Sequence, residues 1–337
     1  MSLRQRKIQS LKNLGDFFLE FIINKVNSEV IKKAESNNSW FTNWNIETAS
    51  KSWGESLNVN DIELWLENYD LVKNPKKIGL ILAGNIPFVG LHDILSVWFS
   101  GHKALVKLSN KDPYLIPYVI KYLEKQCPET KGQIIFLNKK MNSIDAVVAT
   151  GSDNSARYFD YYFRSIPKII RKNKTGVAVI KGNETKEQIE LLAYDILAHY
   201  GLGCRNVSKL FVPVGFDLKK LICAFDEFEQ IKFHHKYCNN LNYYKTIKIL
   251  NNEKFIDGEF FLMSKSKKFT PPISEIYYEF YSNKKDLIKY LKTQSNNLQC
   301  IVSNSIYENH VNFGETQNPM LSDYADNIDT IKFLLTN

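Results

Sequence analysis

Apolar residues recur along this chain with two different periods. Near the start, Leu11, Leu14, Phe17, Phe18, Phe21 and Ile22 follow helical spacing, with Asp16 and Glu20 between them. Helical structure is expected through about residue 70, a stretch that holds Trp40, Trp44, Trp53 and Trp65. The segment VKNPKK at 72–77, centred on Asn74-Pro75, then breaks the pattern. Beyond it, short continuous apolar runs alternate with helical spacing. Strands are expected at 78–83 (IGLILA), 104–108, 133–137, 145–149 and 177–180, and helices at 91–99, 114–123, 154–163 and 187–199. A continuous apolar run suits a parallel strand covered on both faces. The alternation predicts an open α/β sheet with helices on both sides. A further strand is expected at 209–212, ended by Pro213 and Gly215, and another at 277–281; the tail follows Asn318-Pro319.

A chain of 337 residues exceeds the usual size of one domain. Apolar residues at 44% and charged residues at 24% suit a chain with a real core, which argues against disorder. The net charge of +8 suits nucleic acid or phosphate-rich ligands such as CoA and NADP. The basic residues are dispersed into short patches, such as Lys139-Lys140 and Arg171-Lys172-Asn173-Lys174, with no nucleic-acid motif, so no nucleic-acid partner is expected. Five cysteines with no CxxC pair fit a reducing cytoplasm better than disulfides or zinc. The first residues do not read as a signal peptide, and no apolar run reaches the ~20 residues of a membrane span.

Four segments carry candidate chemistry. Cys204 lies in the segment Gly201-Leu-Gly-Cys-Arg205, between an expected helix and an expected strand. The two glycines allow a sharp turn, and Arg205 is a cation that favours a thiolate. The alternative is a structural cysteine beside a helix C-cap. Asn85, in Gly84-Asn-Ile-Pro-Phe-Val-Gly90, follows the first strand, where its amide could donate to an oxyanion; a plain turn is the bland reading. Lys107 and Ser109 end the next strand and could hold a ribose or its 2′-phosphate, against a solvated lysine. Gly151 and Ser152 open a helix whose N–H groups could bind phosphate, unless Ser152, Asp153 or Asn154 simply caps it. His234-His235 lacks the spacing of a metal site, and Asp323, Asp326 and Asp329 read as a solvated helix face.

The order Asn-x-Pro, Val-Lys-x-Ser, Thr-Gly-Ser and Gly-x-Gly-Cys resembles the aldehyde dehydrogenase superfamily, and within it the LuxC-type acyl-CoA reductases. The strings that carry it are LILAGNIPFVGLHDILSVWFSGHKALVKLS (80–109), ATGSDNSARYF (149–159), RKNKTGVAVIKGNET (171–185), GLGCRNVSKLFVP (201–213) and LSDYADNIDT (321–330). Together they span about residues 10–335. The resemblance implies an aldehyde dehydrogenase-like α/β fold with a Rossmann-like cofactor lobe and an α/β catalytic lobe. The boundaries expected are a helical segment at 1–70, a cofactor lobe at 71–200, a catalytic lobe at 201–303 and a tail at 304–337.

The resemblance also implies roles. Cys204 matches the nucleophile, and Asn85 the oxyanion-hole donor beside the backbone N–H of Cys204. Lys107 matches the ribose lysine, with Ser109 beside it, and Gly151 and Ser152 match the turn at the cofactor pyrophosphate. The glutamate that holds the nicotinamide ribose, ahead of Gly-Pro, has no evident counterpart near Pro271-Pro272. The water-activating glutamate is also missing from 170–176 (IRKNKTG). The activity implied is reduction of an acyl-CoA to the aldehyde through a thioester on Cys204, with NADPH as cofactor and NADH as an allowed substitute. A cytoplasmic protein is expected, with a homo-oligomer left open. The alternatives are a hydrolytic NAD(P)-dependent aldehyde dehydrogenase and an inactive nucleotide-binding scaffold.

Overall fold

The structure is a computed structural model that describes residues 1–139, 141–304 and 310–336. Lys140 of the Lys139-Lys140 patch, and positions 305–309 and 337 of the expected tail, lie outside the described residues. The chain divides into two units, one of residues 1–173 and 318–337 and one of residues 174–317.

The first unit begins with four helices, α1 (Leu3–Leu19), α2 (Ser28–Asn37), α3 (Asn43–Ser56) and α4 (Val59–Leu66). Polar caps fix three of their starts: Ser2 forms a capping box with Gln5, and Thr42 and Asn58 each accept a first-turn N–H. A five-stranded parallel sheet follows, built from β1 (Lys77–Ile81), β2 (Lys103–Lys107), β3 (Ile134–Phe136), β4 (Ala146–Thr150) and β5 (Lys168–Arg171) in the order β3-β2-β1-β4-β5. The crossovers are α5 (Leu91–Ser100), α6 (Leu115–Gln126) and α7 (Asp153–Tyr162). One hydrophobic core joins Leu11, Phe18 and Trp65 of the N-terminal helices to Leu80, Trp98 and Val106 of the sheet layer.

Two buried cations tie this unit together. Lys7 of α1 is almost wholly buried and donates to the carbonyl of Trp98, near the C-terminus of α5, where a helix dipole favours positive charge. Burial pushes its ammonium down to about 8. Arg171, at the end of β5, forms a buried ion pair with Asp93 of α5 at 2.5 Å. It also donates to Thr330 Oγ1 at 2.9 Å, at the start of α12 (Thr330–Thr336).

The second unit holds a six-stranded sheet in the order β11-β6-β7-β10-β9-β8. Its strands are β6 (Thr175–Val179), β7 (Val207–Pro213), β8 (Ile256–Asp257), β9 (Leu262–Lys265), β10 (Glu275–Tyr281) and β11 (Leu298–Ser303). Among the described residues, only the β8–β9 pair is antiparallel. Helices α8 (Lys186–Leu197), α9 (Lys219–Ala224), α10 (His235–Leu250) and α11 (Lys284–Thr293) complete it.

The division falls at 173/174. The cause is β6, which hydrogen-bonds β7 and β11 and takes the crossover helix α8 with it. The returning segment 318–336 belongs with the first unit, while 304 and 310–317 stay with the second. The sequence pattern also omits β5. KIIR has two apolar residues between two cations, and nothing in it shows that Arg171 is sunk against a carboxylate. The three tail aspartates do not share one helix either: Asp326 sits in a short 3-10 turn (Ala325–Asn327), α12 starts only at Thr330, and Asp329 accepts from Tyr69 Oη and from the Lys332 N–H.

The buried pair yields a stability prediction. Asp93→Ala leaves Arg171 charged and buried, and should cost about 3–5 kcal/mol. Urea unfolding of Asp93→Ala against the double variant Asp93→Leu/Arg171→Met checks this, with the double variant recovering most of the loss.

Candidate functional site

In the first unit, the expected cofactor residues and the expected oxyanion donor Asn85 all lie at the carboxyl ends of parallel strands. Asn85 follows β1, Lys107 and Ser109 end and follow β2, and Gly151 and Ser152 follow β4. An open α/β sheet binds ligands at this edge, beside the point where strand order reverses. Here that point lies between β1 and β4, since β1 to β2 runs one way and β4 lies on the other side. The structure therefore brings these residues to one edge.

Close backbone approach shapes the edge. A Cβ on Gly84 would lie 2.6 Å from Ser109 Oγ, so the β1 and β2 loops pack directly on each other. A Cβ on Gly151 would meet Ser155 and Phe159 of α7 at 2.9 and 3.0 Å. Asp112 fastens the β1 loop to the start of α6 by accepting from the N–H groups of Phe88 and Leu115, and burial pushes its carboxyl up to about 6. Ser152 is the N-cap of α7, with Oγ accepting from the Ser155 N–H at 3.3 Å. The cap reading therefore holds for Ser152, which is exposed. Lys107 Nζ donates to the Asn138 carbonyl at 3.2 Å.

In the second unit, α8 runs into a left-handed turn. His199, Tyr200 and Gly201 have φ of 50°, 58° and 72°. Left-handed backbone costs a non-glycine residue roughly 1–2 kcal/mol, and packing offsets it here. His199 and Tyr200 are buried, and the Tyr200 ring lies 4.4 Å from that of His234. His234 caps α10 by accepting from the Tyr237 N–H.

A tight turn follows over Gly203–Asn206, closed by the Asn206 N–H to the Gly203 carbonyl at 3.1 Å. Cys204 and Arg205 are its two central residues, and Cys204 is exposed just before β7. Arg205 Nε donates to the Thr316 carbonyl at 2.7 Å. Asn206, 1% exposed, accepts from the Gly203 N–H and donates to the last carbonyls of α8.

Sequence reasoning missed three groups beside this turn. One is Asn206. Another is Cys300 on β11, whose thiol donates to the Arg205 carbonyl at 3.4 Å and which burial pushes up to about 12. The third is Asp195 of α8. It accepts from the N–H groups of Gly314 and Thr316 at 2.7 and 3.0 Å, and burial raises it to about 6. Local sequence gives no signal for these, because each partner is distant in the chain or in the backbone. Near Pro271-Pro272, the first following acid is Glu275, which pairs with Lys248 at 2.8 Å. Among the described residues, no three His, Cys, Asp or Glu side chains group as a metal site, and no helix is long and apolar enough to cross a membrane.

No protein-family model matches the sequence, and no curated protein matches it. Solved structures do. The aldehyde dehydrogenase KauB of Pseudomonas aeruginosa superposes with a TM-score of 0.62 at 13% identity, over 93% of this chain and 78% of that one. An aldehyde dehydrogenase of Bacillus cereus in complex with NAD+ gives 0.60 at 13%, over 90% and 72%. A variant of aldehyde dehydrogenase C of Pseudomonas syringae, with NAD+ and octanal, gives 0.62 at 10%, over 90% and 72%. The chain has the aldehyde dehydrogenase-like fold.

His199 predicts an acid effect. Burial pushes its imidazole down to about 4, against an ordinary 6.5, so the folded state binds fewer protons than the unfolded one. The stability it contributes is complete above pH 6.5 and is lost as pH falls through 4, roughly 3 kcal/mol in all. Asn tolerates left-handed backbone and does not titrate. Urea unfolding of His199→Asn should therefore show a stability difference from wild type that changes between pH 7 and 4.

Proposed function

We propose that the protein is a nicotinamide-dependent oxidoreductase that carries an acyl group on Cys204 and works as an NADPH-dependent acyl-CoA reductase. The observation that carries this reading is the exposed Cys204 at the centre of an anchored turn. Two features bear on the fate of an acyl group there. The segment 170–176, matched by motif order to the place of the water-activating glutamate, holds no acid. Asp195, which lies close to the Cys204 turn, has both carboxylate oxygens occupied by backbone N–H groups. Neither is a base for water, so a thioester on Cys204 would outlast hydrolysis and await reduction.

The residues of the β1, β2 and β4 loops fit a dinucleotide: a cradle with no room for side chains at Gly84 and Gly151, a helix start at Ser152 and a cation at Lys107. When bound, the cofactor supplies the hydride. The chain's own part begins with the Cys204 thiolate attacking the acyl carbonyl carbon. A carbon–sulfur bond forms to Cys204, the bond to the CoA sulfur breaks, and CoA leaves as its thiolate. The backbone N–H of Cys204 is the proposed donor to the oxyanion, and the motif order gives Asn85 the role of a second donor. Reduction of the thioester gives a thiohemiacetal, which expels the Cys204 thiolate as the aldehyde departs.

The second reading, a hydrolytic aldehyde dehydrogenase, is supported by the similar solved structures, which are aldehyde dehydrogenases and include complexes with NAD+. Intact mass separates the readings. Incubation with acyl-CoAs of short to long chain, without cofactor, should leave an acyl group on Cys204 that water removes slowly and NADPH releases as aldehyde. Rapid hydrolysis would favour the second reading, and no adduct with any chain length would leave only a nucleotide-binding scaffold. Cys204→Ala should still bind NADPH and gain no acyl mass.

The preference for NADPH is assigned to Lys107, with Ser109 beside it. Lys107→Ala should raise the Kd for NADPH more than that for NADH in fluorescence titrations; equal losses would remove the 2′-phosphate role.

A further inference from the structure

The turn that presents Cys204 is tied at both ends by one side chain. The Oδ1 of Asn206 accepts from the Gly203 N–H at 2.8 Å, on the residue just before the nucleophile. Its Nδ2 donates to the carbonyls of Asp195 and Ala198 at 3.0 and 2.8 Å, at the end of α8. Its own N–H closes the turn onto the Gly203 carbonyl, and its carbonyl accepts from the Gly176 N–H on β6 at 2.9 Å. One buried residue thus joins the helix end, the turn and the sheet.

From this arrangement, and resting on the reading of Cys204 as the nucleophile, we infer that Asn206 is a positioning residue for acyl transfer. It fixes where the sulfur and the backbone N–H of Cys204 stand relative to an incoming carbonyl. The chemistry explains why an amide suits the place. The end of α8 leaves carbonyls that need donors, and the Gly203 N–H needs an acceptor. A carboxylate would supply only the acceptor, and an ammonium only the donor; Asn supplies both on one short, rigid side chain. Arg205 adds a second restraint: its Nε holds the Thr316 carbonyl, and its carbonyl accepts from Cys300. Cys204 is left as the exposed central residue of a turn whose neighbours are all fastened. A reacting pair misplaced by about 1 Å loses on the order of 10²-fold in rate, so loosening this tie should be felt in the acyl step first.

Two reagents separate positioning from plain stability. p-Nitrophenyl acetate acylates a thiolate through a tetrahedral oxyanion and releases p-nitrophenolate. Iodoacetamide alkylates the same sulfur by displacement of iodide, with no oxyanion. In the full-length protein, Asn206→Ala should slow acylation of Cys204 by about 10²-fold, while alkylation of Cys204, mapped by mass spectrometry, changes little. Gly203→Ala strains the same contact from the other side, since its Cβ would lie 2.7 Å from Asn206 Oδ1, and should show the same selective loss. It carries the test if Asn206→Ala does not fold. Equal slowing of both reactions, or of neither, overturns the positioning role while leaving Cys204 as nucleophile. A wild-type protein that reacts with iodoacetamide at Cys204 and is never acylated there overturns the functional reading itself.

Discussion

Parallel pairing is the constraint from which the rest of this structure follows. Two parallel strands cannot be joined by a tight turn, so each connection must cross the sheet, here mostly by a helix. Every strand of the first sheet therefore delivers its outgoing loop to the same edge. That is why Asn85, Ser109 and Gly151, far apart in the chain, end on one rim. In the second unit the same rule sends α8 back across the sheet to begin β7. The chain must reverse there between a helix end and a buried strand, and the reversal is where Cys204 sits. The left-handed run at His199–Gly201 and the Gly203–Asn206 turn are the local solution to that reversal.

Much of this was legible in the sequence because buried parallel strands leave a plain signature. IGLILA and ALVKL are apolar runs too short for helices, and the structure has strands at both. The helices between them, and the cap at Ser152, follow from periodicity and from polar residues at helix starts. What escaped notice was polar and long-range. β5 reads as two cations around two isoleucines, because an arginine buried by an ion pair looks like any surface arginine. Lys7 is hidden in the same way. Strand pairing, not strand order, decides which sheet receives β6, and no local run of residues records pairing. Asn206 and Asp195 bond mainly to backbone groups, and any sequence can supply those. Around Cys204, the side chains that fasten the turn are the ones no local motif shows.

Burial without partners is used sparingly around Cys204. Asp195 and Asn206 are both inaccessible, and both spend their hydrogen-bonding groups on main chain. Side chains that fasten backbone in this way make a turn rigid without adding reactive groups to it. Cys300 fits the same pattern. It lies against the Arg205 carbonyl, but burial holds its thiol protonated, so it does not compete with Cys204 as a thiolate.

The Arg171–Asp93 pair has a consequence for how this strand end can change. Arg171→Glu would set two acids against each other in a dry interior and leave Thr330 Oγ1 without its donor. Replacing Asp93 first removes that clash. The two positions are therefore coupled, and substitutions there are expected to arrive in a fixed order, on α5 before β5.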